Sequence, residues 1–164
     1  MNCEKFAIYG FEMNYPEGWD VKVTRKIDRY QGSVLFSSQD GLTISVTWGF
    51  PESFTSGEEE NPNITEGLEE ALNRLRKTVG VRNLEVLDEQ HFELQGHSGT
   101  LREMKVEILV GAIWAKKTAE RRGVIAQFYC SEHERYFSLY GVPTDKLDRL
   151  KEAFGVLTQS FKCH

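Results

Sequence analysis

The stretch Tyr15-Pro16-Glu17-Gly18-Trp19 constrains the fold more than any other part of the chain. Ahead of it, Phe11, Met13 and Tyr15 alternate with Glu12 and Asn14, the period-two pattern of a half-buried strand. Pro16 presets φ near about −65°, which suits the second position of a type I turn, and Gly18 supplies positive φ where a Cβ would be strained. Trp19, Val21 and Val23 then alternate with Asp20, Lys22 and Thr24. The pattern predicts a β-hairpin from about Phe11 to Arg25, with Trp19 fixing it against whatever covers it.

Strand signals dominate the rest of the chain. Cys3 to Tyr9 reads as a lead-in strand ending at Gly10. Ser33 to Ser38 and Leu42 to Trp48 flank an Asp40-Gly41 turn, and Leu42, Ile44, Val46 and Trp48 share one face of the second strand. Leu84 to Leu94 is the next strand, followed by a turn at Gly96 to Gly99. In Leu101 to Val110 the alternation is clearest, with Arg102, Met104, Val106, Ile108 and Val110 on one face. Thr118 to Gly123 reads as a basic turn, Val124 to Cys130 as a strand, Ser131 to Glu134 as a turn and Tyr136 to Gly141 as a strand.

Two helices are expected. Asn63 and Glu66 make a capping box ahead of an apolar stripe at Ile64, Leu68, Ala71, Leu72, Leu75 and Val79, closed by Gly80. The last helix, about 144–158, starts at Thr144 as N-cap and buries Leu147, Leu150, Phe154 and Leu157. The longest irregular segment, Pro51 to Asn63, carries Glu58-Glu59-Glu60, and Phe54 within it is placed to pack down or to meet a partner.

At 164 residues, with 40% hydrophobic and 27% charged residues, the chain suits one domain spanning 1–164. The net charge of −5 arises in the first half: eight Lys/Arg stand against thirteen Asp/Glu through Gly80, and twelve against twelve after it. That balance disfavours a nucleic-acid role, which calls for a net basic face. No signal-like or membrane-spanning apolar run is present, and three cysteines do not make a paired secreted framework. A cytoplasmic location with no membrane partner is the expectation.

Taken together, the element order, the Tyr-Pro-x-Gly-Trp corner, the aromatic strand Arg135-Tyr136-Phe137-Ser138-Leu139-Tyr140 and the Ser160-Phe161 ending resemble the PsbP-like family. That family shares its fold with the Ran-binding nuclear-import factor of the Mog type. The resemblance implies an α+β fold, an antiparallel sheet of about six or more strands layered with two main helices (about 64–79 and 144–158), and a non-enzymatic role. With no targeting peptide of the plant PsbP kind and no lipid-attachment signal legible before Cys3, neither the photosystem role nor a lipoprotein anchor is expected. No Ran-contact motif aligns.

Two groups of residues are candidates for function. Lys116, Lys117, Arg121 and Arg122 cluster around the expected basic turn, and with Phe54 they form the expected contact for a protein partner of acidic surface. Cys130, His133, Cys163 and His164 supply two thiols and two imidazoles, the ligand types zinc favours, and carry the alternative reading of a metal- or small-ligand-binding protein. A Cys130–Cys163 disulfide is the other pairing open to these residues. No nucleophile elbow, phosphate loop or metalloprotease helix is present, and no cofactor is called for. The expectation is a non-catalytic binding or accessory protein.

Overall fold

The computed structural model of the chain describes residues 2–24, 27–49, 81–110 and 117–163. These form nine strands and one helix. The strands are β1 (Cys3–Ile8), β2 (Phe11–Pro16), β3 (Asp20–Val23), β4 (Gly32–Ser37), β5 (Thr43–Gly49), β6 (Val81–Leu94), β7 (His97–Val110), β8 (Lys117–Cys130) and β9 (Arg135–Thr144). The helix, α1, spans Leu147–Ser160. The expected α+β class and antiparallel sheet of more than six strands hold, but the described residues contain one helix rather than two. The expected helix at 64–79 lies outside them, as does the loop at 51–63 with Phe54.

β1 and β2 form a two-stranded sheet, and the other strands form a seven-stranded antiparallel sheet in the order β3-β4-β5-β9-β8-β7-β6. This arrangement corrects the reading of the first corner. β2 pairs with β1, from Cys3↔Pro16 to Ile8↔Phe11, whereas β3 pairs with β4. The corner therefore carries the chain from one sheet to the other and is not the tip of a hairpin. Pro16 stands first in the turn, its carbonyl accepting from Trp19 N at 3.4 Å, and Gly18 stands third at φ 78°. That φ is what a type II turn requires at its third position. Trp19 is half-buried and packs against the main core.

The core gathers inward-facing residues from β2, β4, β5, β8, β9 and α1: Phe11, Met13, Val34, Phe36, Ile44, Val46, Trp48, Phe128, Phe137, Leu150, Phe154 and Leu157 are all buried. A smaller cluster of Leu84, Met104, Val106 and Ile125 stands apart from it. Alternation in β5 and β7 is borne out, with Ile44, Val46 and Trp48 buried in β5 and Arg102, Met104 and Val106 buried in β7.

Three local boundaries move. The β6–β7 turn is the two-residue pair Gln95-Gly96 at φ 49° and 82°, so β7 begins at His97 instead of after Gly99. Positive φ at both positions matches the twist of the flanking strands. The expected turn at Thr118–Gly123 is strand, because β8 runs unbroken from Lys117. The cap residue of α1 is Lys146, without a side-chain cap, while Thr144 Oγ1 accepts from Lys146 N at 3.2 Å just ahead of it.

Asp40, in the β4–β5 turn, ties that turn to α1. Its carboxylate accepts from Ser38 Oγ at 2.6 Å, from Lys146 Nζ at 3.1 Å and from Arg149. These hydrogen bonds, Ser38 first, hold the carboxyl down at about 2. A depressed folded pKa contributes stability above the unfolded value near 3.8, and the contribution is lost as pH falls towards about 2. Asp40→Asn is therefore expected to melt below the wild type near neutral pH, and the gap closes between about pH 4 and about pH 2. A gap that is constant across that range would exclude the carboxylate as its cause.

Candidate functional site

Three distant parts of the chain meet at the end of the sheet. His97 follows the β6–β7 turn directly, Cys130 closes β8, and Cys163 lies just past α1. Cys163 is delivered by the C-terminal segment. Glu12 N donates to Lys162 O at 2.7 Å and Lys162 N donates to Glu12 O at 2.8 Å, so residue 162 is zipped onto β2. Ser160 Oγ accepts from Asn14 N at 2.8 Å and donates to Val156 O at 2.6 Å. Between these two attachments Phe161 inserts its ring among Phe11, Phe128 and Phe137, with centroids 5.7, 4.8 and 4.8 Å away. The Ser160-Phe161 ending is thus the clip that places Cys163.

At the meeting point the Cys163 thiol donates to the Cys130 sulfur at 2.8 Å, and His97 Nε2 lies 3.1 Å from Cys163 Sγ. Ligand-type atoms of His97, Cys130 and Cys163 all fall within 4.8 Å of one another, and all three residues are buried. Four residues of turn, Ser131–Glu134, with Glu134 at φ 50°, fold His133 back so that its Nδ1 stands 3.7 Å from Cys130 Sγ. Burial pushes the Cys163 thiol up, the hydrogen bond to Cys130 adds to the rise, and the Arg135 cation opposes it.

Arg135 is 1% exposed and packs its guanidinium carbon 5.5 Å above the centre of the Phe137 ring. Its Nη1 donates to Arg29 O at 3.2 Å, while Nε and Nη2 have no hydrogen-bond partner among the described residues. A buried guanidinium in this state is costly to hold unless negative charge forms beside it. Burial accordingly lowers its pKa, and the nearby sulfurs oppose that. A cleft of 390 Å³ lined by Arg29, Tyr30, Ser131, Glu132, His133, Glu134 and Arg135 opens this end of the sheet to solvent.

Of the four residues expected as metal ligands, the structure brings Cys130, His133 and Cys163 together, and His164 lies outside the described residues. His97 was not foreseen as their neighbour. Its only sequence signal is a histidine placed directly after a Gln-Gly turn, which says nothing about a cysteine 66 residues away.

The basic cluster is divided. In the β7–β8 register Val106 faces Arg121 and Val110 faces Lys117, whereas Lys105 faces Arg122. Directly opposed residues share a face, so Lys117 and Arg121 lie on one side of the sheet and Arg122 on the other. Arg122 pairs with Glu103 at 3.5 Å, and Lys105 with Glu85 at 3.4 Å and Glu120 at 3.7 Å, which neutralises the cations of that side. On the other side Lys117 is exposed, and the pair of Arg121 with Asp145 spans 3.9 Å. Lys116 and Phe54 lie outside the described residues.

No protein-family model matches the chain. No curated protein sequence matches it either. Solved structures do. A cyanobacterial PsbP (CyanoP) from Synechocystis superposes with TM-score 0.68 at 15% identity, covering 99% of this chain and 92% of that one. The fold is that of PsbP and Mog1. The Ran-binding protein Mog1p of Saccharomyces cerevisiae superposes with TM-score 0.63 at 13% identity, covering 99% and 96%. A Mog1 variant gives TM-score 0.58 at 14% identity, with the same coverage. The PsbP/Mog1-like fold therefore spans nearly the whole chain.

Proposed function

We propose that this protein is a non-catalytic binding protein that contacts a macromolecular partner through two cations of β8, the exposed Lys117 and the half-buried Arg121. The observation that carries the reading is the end-to-end PsbP/Mog1-like fold, shared with a protein that binds Ran. The choice of surface rests on the divided basic cluster. The cations on the Arg122 side are already matched by carboxylates, so a partner gains little from them. Lys117 and Arg121 stand where β8 pairs with β7 alone and have weaker local compensation, which favours a partner of acidic surface.

Affinity capture from a native extract tests this, with the wild-type chain and two variants as baits. Lys117→Glu with Arg121→Glu is expected to lower recovery of the partner by about 10-fold or more, since two reversed charges cost at least about 1.4 kcal/mol at a complementary interface. Arg122→Glu is expected to leave recovery near the wild-type level. Equal recovery with all three baits, at matched melting temperatures, excludes the β8 surface.

A further inference from the structure

We propose that His97, Cys130, His133 and Cys163 form a binding site for one zinc-type divalent metal ion. The donor set is the first reason. Two thiols lie side by side and each has its own imidazole, His97 at Cys163 and His133 at Cys130. A disulfide needs neither histidine, whereas two thiolates and two imidazoles make the neutral four-ligand set of a structural zinc site.

The second reason is placement. The ligands come from the start of β7, the end of β8, the turn after it and the C-terminal segment, so one ion joins parts of the chain 33 and 66 residues apart. Zinc–sulfur bonds of about 2.3 Å in a tetrahedron set the sulfurs about 3.8 Å apart, wider than the 2.8 Å observed. Opening that distance moves Cys163, which lies beyond the last backbone bridge at Lys162, and the strand-terminal Cys130, while His133, outside the trio whose ligand atoms lie within 4.8 Å of one another, swings in from its turn. Binding releases the two thiol protons, so uptake of the ion is expected to tighten as pH rises. The cleft bordered by Tyr30 and Arg135 reaches one of the four ligands, His133, from solvent.

The test uses the full chain purified under reducing conditions and loaded with zinc chloride, then with cobalt chloride. Elemental analysis is expected to find one zinc per chain. Cobalt is expected to give the visible bands of a tetrahedral centre together with a sulfur-to-cobalt charge-transfer band. Cys163→Ser and His97→Gln are each expected to weaken zinc at least about 10-fold in a chelator competition, and His133→Gln by a similar factor. His91→Gln, at an exposed position on β6, is expected to bind as the wild type does. If Cys163→Ser does not fold, the two histidine variants decide. Reduced protein that takes up neither metal overturns the proposal. So does a Cys130–Cys163 disulfide found by mass spectrometry as the state that excludes metal, or zinc retained at full strength by both His97→Gln and His133→Gln.

Discussion

Phe161→Ala is expected to lower stability by about 3–5 kcal/mol, the range for removing a fully buried aromatic ring. Phe161 is 1% exposed and touches three other phenylalanine rings, two at 4.8 Å between centroids. It also sits between the hydrogen bond of Ser160 to Asn14 and the paired hydrogen bonds of Lys162 to Glu12. Its loss therefore opens a cavity and loosens the segment that carries Cys163. Denaturant titration should show the fall in stability, and the melting temperature should drop by roughly 10 °C or more. A second readout separates the two effects. Cys163, 1% exposed in the wild type, should react with a thiol reagent far faster in the variant. Phe161→Leu keeps most of the volume and is expected to cost under about 2 kcal/mol with Cys163 still protected. A wild-type melting curve for Phe161→Ala would show that the clip does not hold the sheets together.

Gly32→Ala is expected to cost about 3 kcal/mol, far more than a surface glycine change. Gly32 and Trp48 are directly opposed in the β4–β5 register, and a Cβ on Gly32 would lie 2.2 Å from Trp48 Cζ2. The indole has little room to yield. Its Nε1 donates to Asp28 O at 3.0 Å, and its ring meets Phe11 at 5.1 Å and Tyr9 at 6.4 Å. Gly32 is not needed here for positive φ; the space it leaves is filled by tryptophan. The two positions should therefore couple. Trp48→Leu alone is destabilising, yet the double variant should be more stable than the sum of the two single effects predicts, by about 1 kcal/mol or more. Strict additivity in a double-mutant cycle would show that the indole does not lie over Gly32 in solution.

Strands with clean period-two alternation were legible, as β5, which faces the main core, and β7, which faces the smaller cluster, show. Their buried sets, Ile44, Val46 and Trp48 in one and Met104 and Val106 in the other, follow directly from period two. Pairing was not legible at the first corner, where each strand has two sequence neighbours to choose between. β2 and β3 have the patterns of hairpin partners and the right corner between them, but β1 and β4 take their hydrogen bonds. The first part of β8 was misread because Ala119 is the only apolar side chain among its first six residues. Thr118, Glu120 and Arg122 are exposed, and Arg121 faces Val106 beyond the main core, so no apolar face marks the strand. At the cysteine cluster, Cys130 and His133 are close in sequence and Cys163 ends the clip, so their residue types drew attention. His97 joins them only through the register of β6 with β7, which places the turn at that end of the sheet.

The partner-binding reading is tested most directly by titrating the captured partner against the wild-type chain and against Lys117→Glu with Arg121→Glu, at low and at physiological salt. The account predicts a dissociation constant at least about 10-fold larger for the variant, a wild-type affinity that weakens as salt rises, and unchanged melting temperatures. Identical affinities and identical salt dependence for the two proteins would contradict it.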